Sequence, residues 1–400
     1  MTIPHPTPTI RRARVGVALL FLTNGALLAN ILPRYPEIKA SLGLDATFYG
    51  LSIAAFPAGA IFVGLSAAVF IRRFGSARVA MIGSILTALA LLFAGLAPTA
   101  IVFALGLFLA GAADAITDVA QNAHSLRVQR AYDRSIINSF HAIWSIGAVL
   151  GGSMAAVAIA LRVPVGAHLA VSTVVFGVVV VLAYRMCLPG PDAESGADAG
   201  ATASGDGART GFSPRLAVTL VALILIATAG AVIEDAGMSW ATLYLSDSLG
   251  AAAALAATGY IALVGAQFVG RIFGDRLIDR FGARAMVISG GLFAAAGMGL
   301  ALAFPTVPGT ILGFALAGLG SATLIPTAFQ EADDMPGLKH GSGITIVAWM
   351  LRFGFLLAPP VVGVIADNVG LRAGLVIVPI AGLVAVVCAG AVKRRMPTAD

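Results

Sequence analysis

Apolar runs of roughly 20 residues recur along the whole chain, each long enough to cross a bilayer as a helix. They predict twelve spans, at 14–32, 47–71, 78–96, 99–127, 136–161, 166–187, 214–243, 251–277, 284–304, 307–330, 342–366 and 371–392. Pro33, Pro36, Pro98, Pro164, Pro305 and Pro308 fall at predicted ends, where proline stops a helix. Pro57, Pro326, Pro359 and Pro360 fall inside spans and predict kinks. Only helices or closed barrels satisfy their backbone in hydrocarbon, and these runs are too long and continuous for barrel strands. The first run, preceded by Arg11, Arg12 and Arg14, has the form of a signal peptide; because more runs follow, it reads as a retained first helix. The pattern predicts an all-α membrane protein.

Between the sixth and seventh runs lies 189–213, rich in Gly, Ala, Ser and Asp across Pro189–Thr210. It reads as a flexible cytoplasmic linker between an N-terminal six-helix bundle, 1–188, and a C-terminal one, 214–400. The two bundles also align with each other. An offset of 207 places Phe74-Gly75 on Phe281-Gly282, Gly111 on Gly318 and Gly147 on Gly354, in matching helices of each half. Pseudo-symmetric halves of this kind are a transporter signature.

Composition and charge sharpen this picture. The hydrophobic share is 59% and the charged share 11%, against about 25% charged in soluble domains, which removes the soluble classes. Of the 25 Lys and Arg, twenty fall on the side of the N-terminus, Arg72, Arg73, Arg78, Arg127 and Arg271 among them. Only Arg34, Lys39, Arg162 and Arg372 fall on the other side, and Arg352 is left inside a span. The positive-inside rule then puts both termini in the cytoplasm of a bacterial-type inner membrane. The net charge of +6 does not point to nucleic acid, because the basic residues mark helix ends rather than a patch interleaved with aromatics. Cys187 and Cys388 have no metal or redox spacing.

The polar residues left inside the spans carry the candidate chemistry. Asp114, Asp118 and Asn122 are spaced i, i+4, i+8 in the fourth helix, on one face with Gln121 and Ser125. Carboxyls at that depth are costly and point to proton or solute handling; the bland reading is that Asp118 and Asn122 bond to the fifth helix and fix the bundle. Asn138, His141, Trp144 and Ser145 share a face of that fifth helix, so an Asp–His relay is one reading and ordinary hydrogen bonding the other. Trp144 either stacks on a substrate ring or packs. Arg352, ten residues into the eleventh helix, needs a counter-charge from Asp114, Glu234, Asp235 or a substrate anion. Glu234 and Asp235, near the outer end of the seventh helix, read as an outer gate or as solvated acids. Asn24 is a candidate substrate hydrogen-bonder near midplane, with Gln267 a weaker one.

At this point the chain resembles the major facilitator superfamily, over essentially all of its length. The resemblance rests on six plus six helices, a cytoplasmic linker and a loop motif after the second and eighth helices. The second copy, GDRLIDRFGAR over Gly274–Arg284, follows the family pattern; the first, FIRRFGSAR over Phe70–Arg78, has Arg72 where the family has Asp. The resemblance implies a conformational latch of Asp275, Arg276, Asp279, Arg280, Gly282 and Arg284, with Asp279 facing the start of the fifth helix near Ser135–Asn138. Four further stretches, ITDVAQNAHSLRVQ, SFHAIWSIGAVLGG, EDAGMSWATLYLSDSLG and FLLAPPVVGVIAD, resemble a bacterial branch near the fucose-permease-like group. The fifth helix lacks the Gly-Pro that ends the family's antiporter signature, which lowers the drug-efflux reading.

The resemblance implies secondary active transport by alternating access, often proton-coupled, here of a small solute such as a sugar or organic anion. The alternatives are multidrug efflux by proton antiport and a non-transporting solute sensor. No P-loop, HExxH or usable GxSxG occurs, so neither an enzyme nor ATP drive is expected. The expected partners are a small-molecule substrate, protons and the lipid bilayer, with no nucleic acid and no cofactor, and the chain is expected to act as a monomer.

Overall fold

The computed structural model describes residues 7–132, 136–190, 214–335 and 342–392. Among them there is no strand. Twelve helices are long and apolar enough to cross a membrane: α1 Pro8–Ser41, α2 Ala46–Gly64, α3 Ser76–Gly95, α4 Ala100–Tyr132, α5 Ser139–Ala160, α6 Val165–Met186, α7 Leu216–Ser248, α8 Ala253–Phe281, α9 Ala283–Ala303, α10 Val307–Asp333, α11 Ser342–Val369 and α12 Leu371–Ala391. The linker from 191 onward and Ser135 of the expected latch partner lie outside the described residues. Large apolar side chains such as Phe62, Ile101 and Val387 stand exposed around the helices. In water such a surface would be an aggregation liability, whereas in a bilayer it is solvated by acyl chains.

α1 runs past its predicted end. A 3-10 turn at Leu32–Arg34 absorbs Pro33, and Pro36 sits in the first turn of Tyr35–Ser41, where its missing N–H costs nothing. α8 likewise runs to Phe281 rather than Leu277. The two loop-motif copies share one backbone device. Gly75 (φ 83°, ψ 146°) and Gly282 (φ 86°, ψ 148°) each end one helix and start the next in a conformation that L side chains rarely adopt. The matched geometry supports the offset of 207 beyond chance glycine pairing.

The contacts divide the chain into two compact units. The first contains the chain up to Ile31, Ala55–Ala158 and the segment that begins at Val163. Its described residues include one packed core around Val17, Phe21, Val128 and Phe140 and another around Leu20, Val79, Ala120 and Val180. α1 and α5 meet here without intervening side chains: a Cβ on Gly147 would collide with the Leu22 carbonyl oxygen, and one on Gly25 with the Trp144 carbonyl oxygen. At the end of α4 the buried His124 imidazole accepts the Leu188 N–H on Nε2 (3.3 Å), which leaves Nδ1 as the donor to Ser76 Oγ (3.0 Å). Arg127 donates to the carbonyls of Pro189 (2.6 Å) and Gly190 (3.0 Å).

The second unit contains the C-terminal half together with Leu32–Ala54 and Ile159–Arg162. Within it the first turns of α2 lie on α11. Asp367 accepts the N–H groups of Ala46 (2.9 Å) and Thr47 (2.7 Å), an anion on the positive end of a helix. Gly50 lies against the Pro359 carbonyl and Gly363 against the Ala46 carbonyl, each too close for a Cβ. The buried Tyr49 donates to the Ser239 carbonyl (2.6 Å) and meets Trp240 edge to face at 4.9 Å between centroids.

Candidate functional site

Three residues expected to act from separate helices come together in the first unit. Asn24 of α1 donates from Nδ2 to Asp114 Oδ1 of α4 at 2.7 Å. Its Oδ1 accepts the indole N–H of Trp144 of α5 at 2.8 Å. The close glycine contact of α1 and α5 makes this reach possible, since a longer separation would leave the indole short of Asn24. Asn24 is therefore the centre of the cluster, with one side-chain amide bridging a carboxyl and an indole. The second oxygen of Asp114 has no hydrogen-bond partner among the described residues. A carboxyl with one fixed oxygen and one open oxygen, within a membrane helix, can exchange a proton or accept a solute hydroxyl.

One turn along α4, Asp118 is engaged within its own helix. Its Oδ1 accepts from Gln121 (3.3 Å) and Asn122 (3.0 Å) of the same helix, and Asn122 also bonds the Asp118 carbonyl (2.8 Å). The i, i+4 spacing that made this face visible in the sequence is what closes the pair locally. His141 lies edge-on to Phe21, with centroids 5.2 Å apart, and its carbonyl accepts from Ser145.

A second polar focus lies in the second unit. Glu234 Oε2 of α7 accepts Gln267 Nε2 of α8 at 2.9 Å, and the same amide reaches Ser321 Oγ of α10 at 3.4 Å. Ser321 is the position that the offset of 207 pairs with Asp114. Each half thus has a polar focus on its fourth helix, but in the C-terminal half the carboxyl comes from the first helix of the half. Arg271 Nη2 stands 3.6 Å from Glu234 Oε2. Arg271 lies ten residues before Phe281, about 15 Å along α8 from its end, and three residues before the charged GDRLIDRFGAR motif. Asp235, next to Glu234, turns to Ser239 instead (3.3 Å), as adjacent helical residues must diverge by about 100°.

Within its own unit, Arg352 does not pair with Glu234 or Asp235. Among the described residues it makes no ion pair, and its guanidinium lies over the Trp349 ring at 5.5 Å. Of the latch residues, Arg280 lies over Phe281 at 5.4 Å, as Arg73 does over Phe74 in the first copy. Reading the sequence missed the Asp367 clasp on α2 and the Arg271–Glu234 pair. The second was accessible in principle, because Gln267 and Arg271 are spaced i, i+4 on α8.

The comparisons with known proteins agree with this architecture. The family model described as Major Facilitator Superfamily matches residues 17–329 and again 235–400. An uncharacterized transporter, y4wD, of Sinorhizobium fredii is 30% identical over 93% of this chain and 96% of its own length. Membrane protein MosC of Rhizobium meliloti is 31% identical over 96% of this chain and 91% of its own. The crystal structure of the nucleoside transporter NupG superposes with a TM-score of 0.70 over 96% of this chain and 98% of its own, at 16% identity.

Proposed function

Since the chain belongs to the Major Facilitator Superfamily of membrane transporters, we propose that it moves a small polar solute across a bacterial inner membrane by proton-coupled alternating access. The observation that carries this reading is the Asn24–Asp114–Trp144 cluster. Asp114 is the proton carrier, held in place by Asn24 through one oxygen and open at the other. Trp144 fixes the amide of Asn24 so that its NH2 faces the carboxyl, and its ring supplies an apolar face for the solute. Asp118, Asn122 and His141 extend the polar path along α4 and α5. In the other half, Glu234 lines the solute path, Arg352 provides charge for solute contact, and Asp275, Arg276, Asp279, Arg280, Gly282 and Arg284 form the latch.

Uptake by proteoliposomes, scanned over a panel of sugars and organic acids with and without an imposed pH gradient, tests the proposal. The wild type is expected to accumulate one member of the panel when the gradient is present. Asp114→Asn, which keeps the bond to Asn24 and cannot ionise, is expected to equilibrate that solute without accumulating it. Accumulation undiminished in Asp114→Asn refutes the assignment.

A further inference from the structure

The pairing of Arg271 is incomplete in a way that narrows the solute class. A guanidinium has five N–H donors. Among the described residues, that of Arg271 makes no hydrogen bond, and its one ion-pair contact, to Glu234, is 3.6 Å long. The other bonds of Glu234 explain the slack, because its Oε2 is already taken by Gln267 at 2.9 Å. Arg271 nevertheless keeps 35% of its side-chain surface exposed, whereas Glu234 keeps 12%. A charged side chain beside a largely buried carboxyl of a neighbouring membrane helix faces water or a bundle interior, not acyl chains. An under-bonded, partly exposed guanidinium in that setting is a ready fork for a planar oxyanion.

The proposal rests on the transport reading above and deepens it. We propose that Arg271 is the anion-recognising residue of the C-terminal half, that the transported solute carries a carboxylate, and that Glu234 occupies the place of that carboxylate until the solute arrives. Arg352, ten residues from the start of α11 and set, among the described residues, against an aromatic face, supplies a second cation in this half. The arrangement gives the two partners opposite roles. Arg271 attracts the solute and Glu234 competes with it, so removing each should change binding in opposite directions. A merely structural ion pair would instead weaken the protein from either side.

The experiment is a thermal-shift titration of the purified full-length protein with matched acids and neutral analogues: glucuronate with glucose, succinate with succinamide, and benzoate with benzamide. At least one acid is expected to raise the unfolding temperature while its neutral analogue does not. Arg271→Gln is expected to weaken that acid about tenfold or more, the loss of a charge-assisted bidentate contact. Arg271→Lys, which keeps the charge and loses the fork, is expected to fall between, and it also shows that loss of binding is not loss of folding. Glu234→Gln, whose amide oxygen can still accept from Gln267, is expected to bind the acid several-fold tighter. Stabilisation by a neutral analogue equal to that by its acid overturns the proposal. So does a panel without effect, unchanged affinity in Arg271→Gln, or weaker binding in Glu234→Gln. Gradient-driven accumulation of a neutral solute, lost in Asp114→Asn, would sink this proposal and leave the transport reading standing. Acid binding with coupling untouched in Asp114→Asn would do the reverse.

Discussion

Asn24 is the residue whose replacement best tests the cluster in the N-terminal half. Leucine shares asparagine's branching at Cγ and is larger, so Asn24→Leu leaves no cavity. It removes the 2.7 Å bond to Asp114 and the 2.8 Å bond from Trp144 together. Values from water-soluble proteins, about 1–3 kcal/mol per stranded buried group, would put the loss at about 2–6 kcal/mol. Membrane helices lose less, because the unfolded chain within the bilayer finds other partners; interhelical bonds there average about 0.6 kcal/mol and reach about 1.7. Two bonds then set the loss at about 1–3 kcal/mol, and the membrane value decides. Trp144→Phe and Asp114→Leu each remove one bond and should cost about half as much. The assay is reversible unfolding in mixed micelles, run as a double-mutant cycle of Asn24→Leu and Asp114→Leu. A coupling energy of about 0.6–1.7 kcal/mol is expected. Losses that add to within about 0.5 kcal/mol would show that the two side chains do not interact and would refute the cluster.

Two further outcomes follow from backbone contacts. Gly147→Val places a Cβ on the Leu22 carbonyl, forces α5 from α1 and should destabilise the protein by at least about 1–3 kcal/mol in the same unfolding assay, while Gly177→Ala, with nothing within 4 Å of its added Cβ, should cause no loss. Asp367→Ala removes both acceptors from the start of α2; in a background lacking Cys187 and Cys388, maleimide should then label Ser52→Cys, a site now 5% exposed, faster than it does with Asp367 intact, and an unchanged rate would show that the clasp does not hold this segment.

What the sequence made legible, and what it did not, follows the range of the forces involved. The twelve spans were readable because hydrocarbon demands long, fully bonded helices, and that demand is local to each run. The Asp118–Asn122 pair was readable as an i, i+4 spacing, and Gly75 and Gly282 as a repeat. The bridge from Asp114 through Asn24 to Trp144 joins positions 24, 114 and 144, and no local pattern encodes it. It depends on Gly25 and Gly147, whose lack of a side chain is plain in the sequence but whose partners are not. The Arg271–Glu234 pair was hidden for a related reason, since it joins positions 37 residues apart on different helices. The run past Leu32 was hidden because Pro33 and Pro36 signal a stop, and only the packed structure shows a turn and restart.

The fastening of Leu188–Gly190 has a mechanical consequence. The chain leaves α6 at Met186, yet His124 grips it at Leu188 and Arg127 at Pro189 and Gly190. Tension on the polypeptide beyond Gly190 is therefore borne by α4, at points six and nine residues past Asp118, rather than by the end of α6. The helix that holds both carboxyls is also where the segment after α6 is fastened.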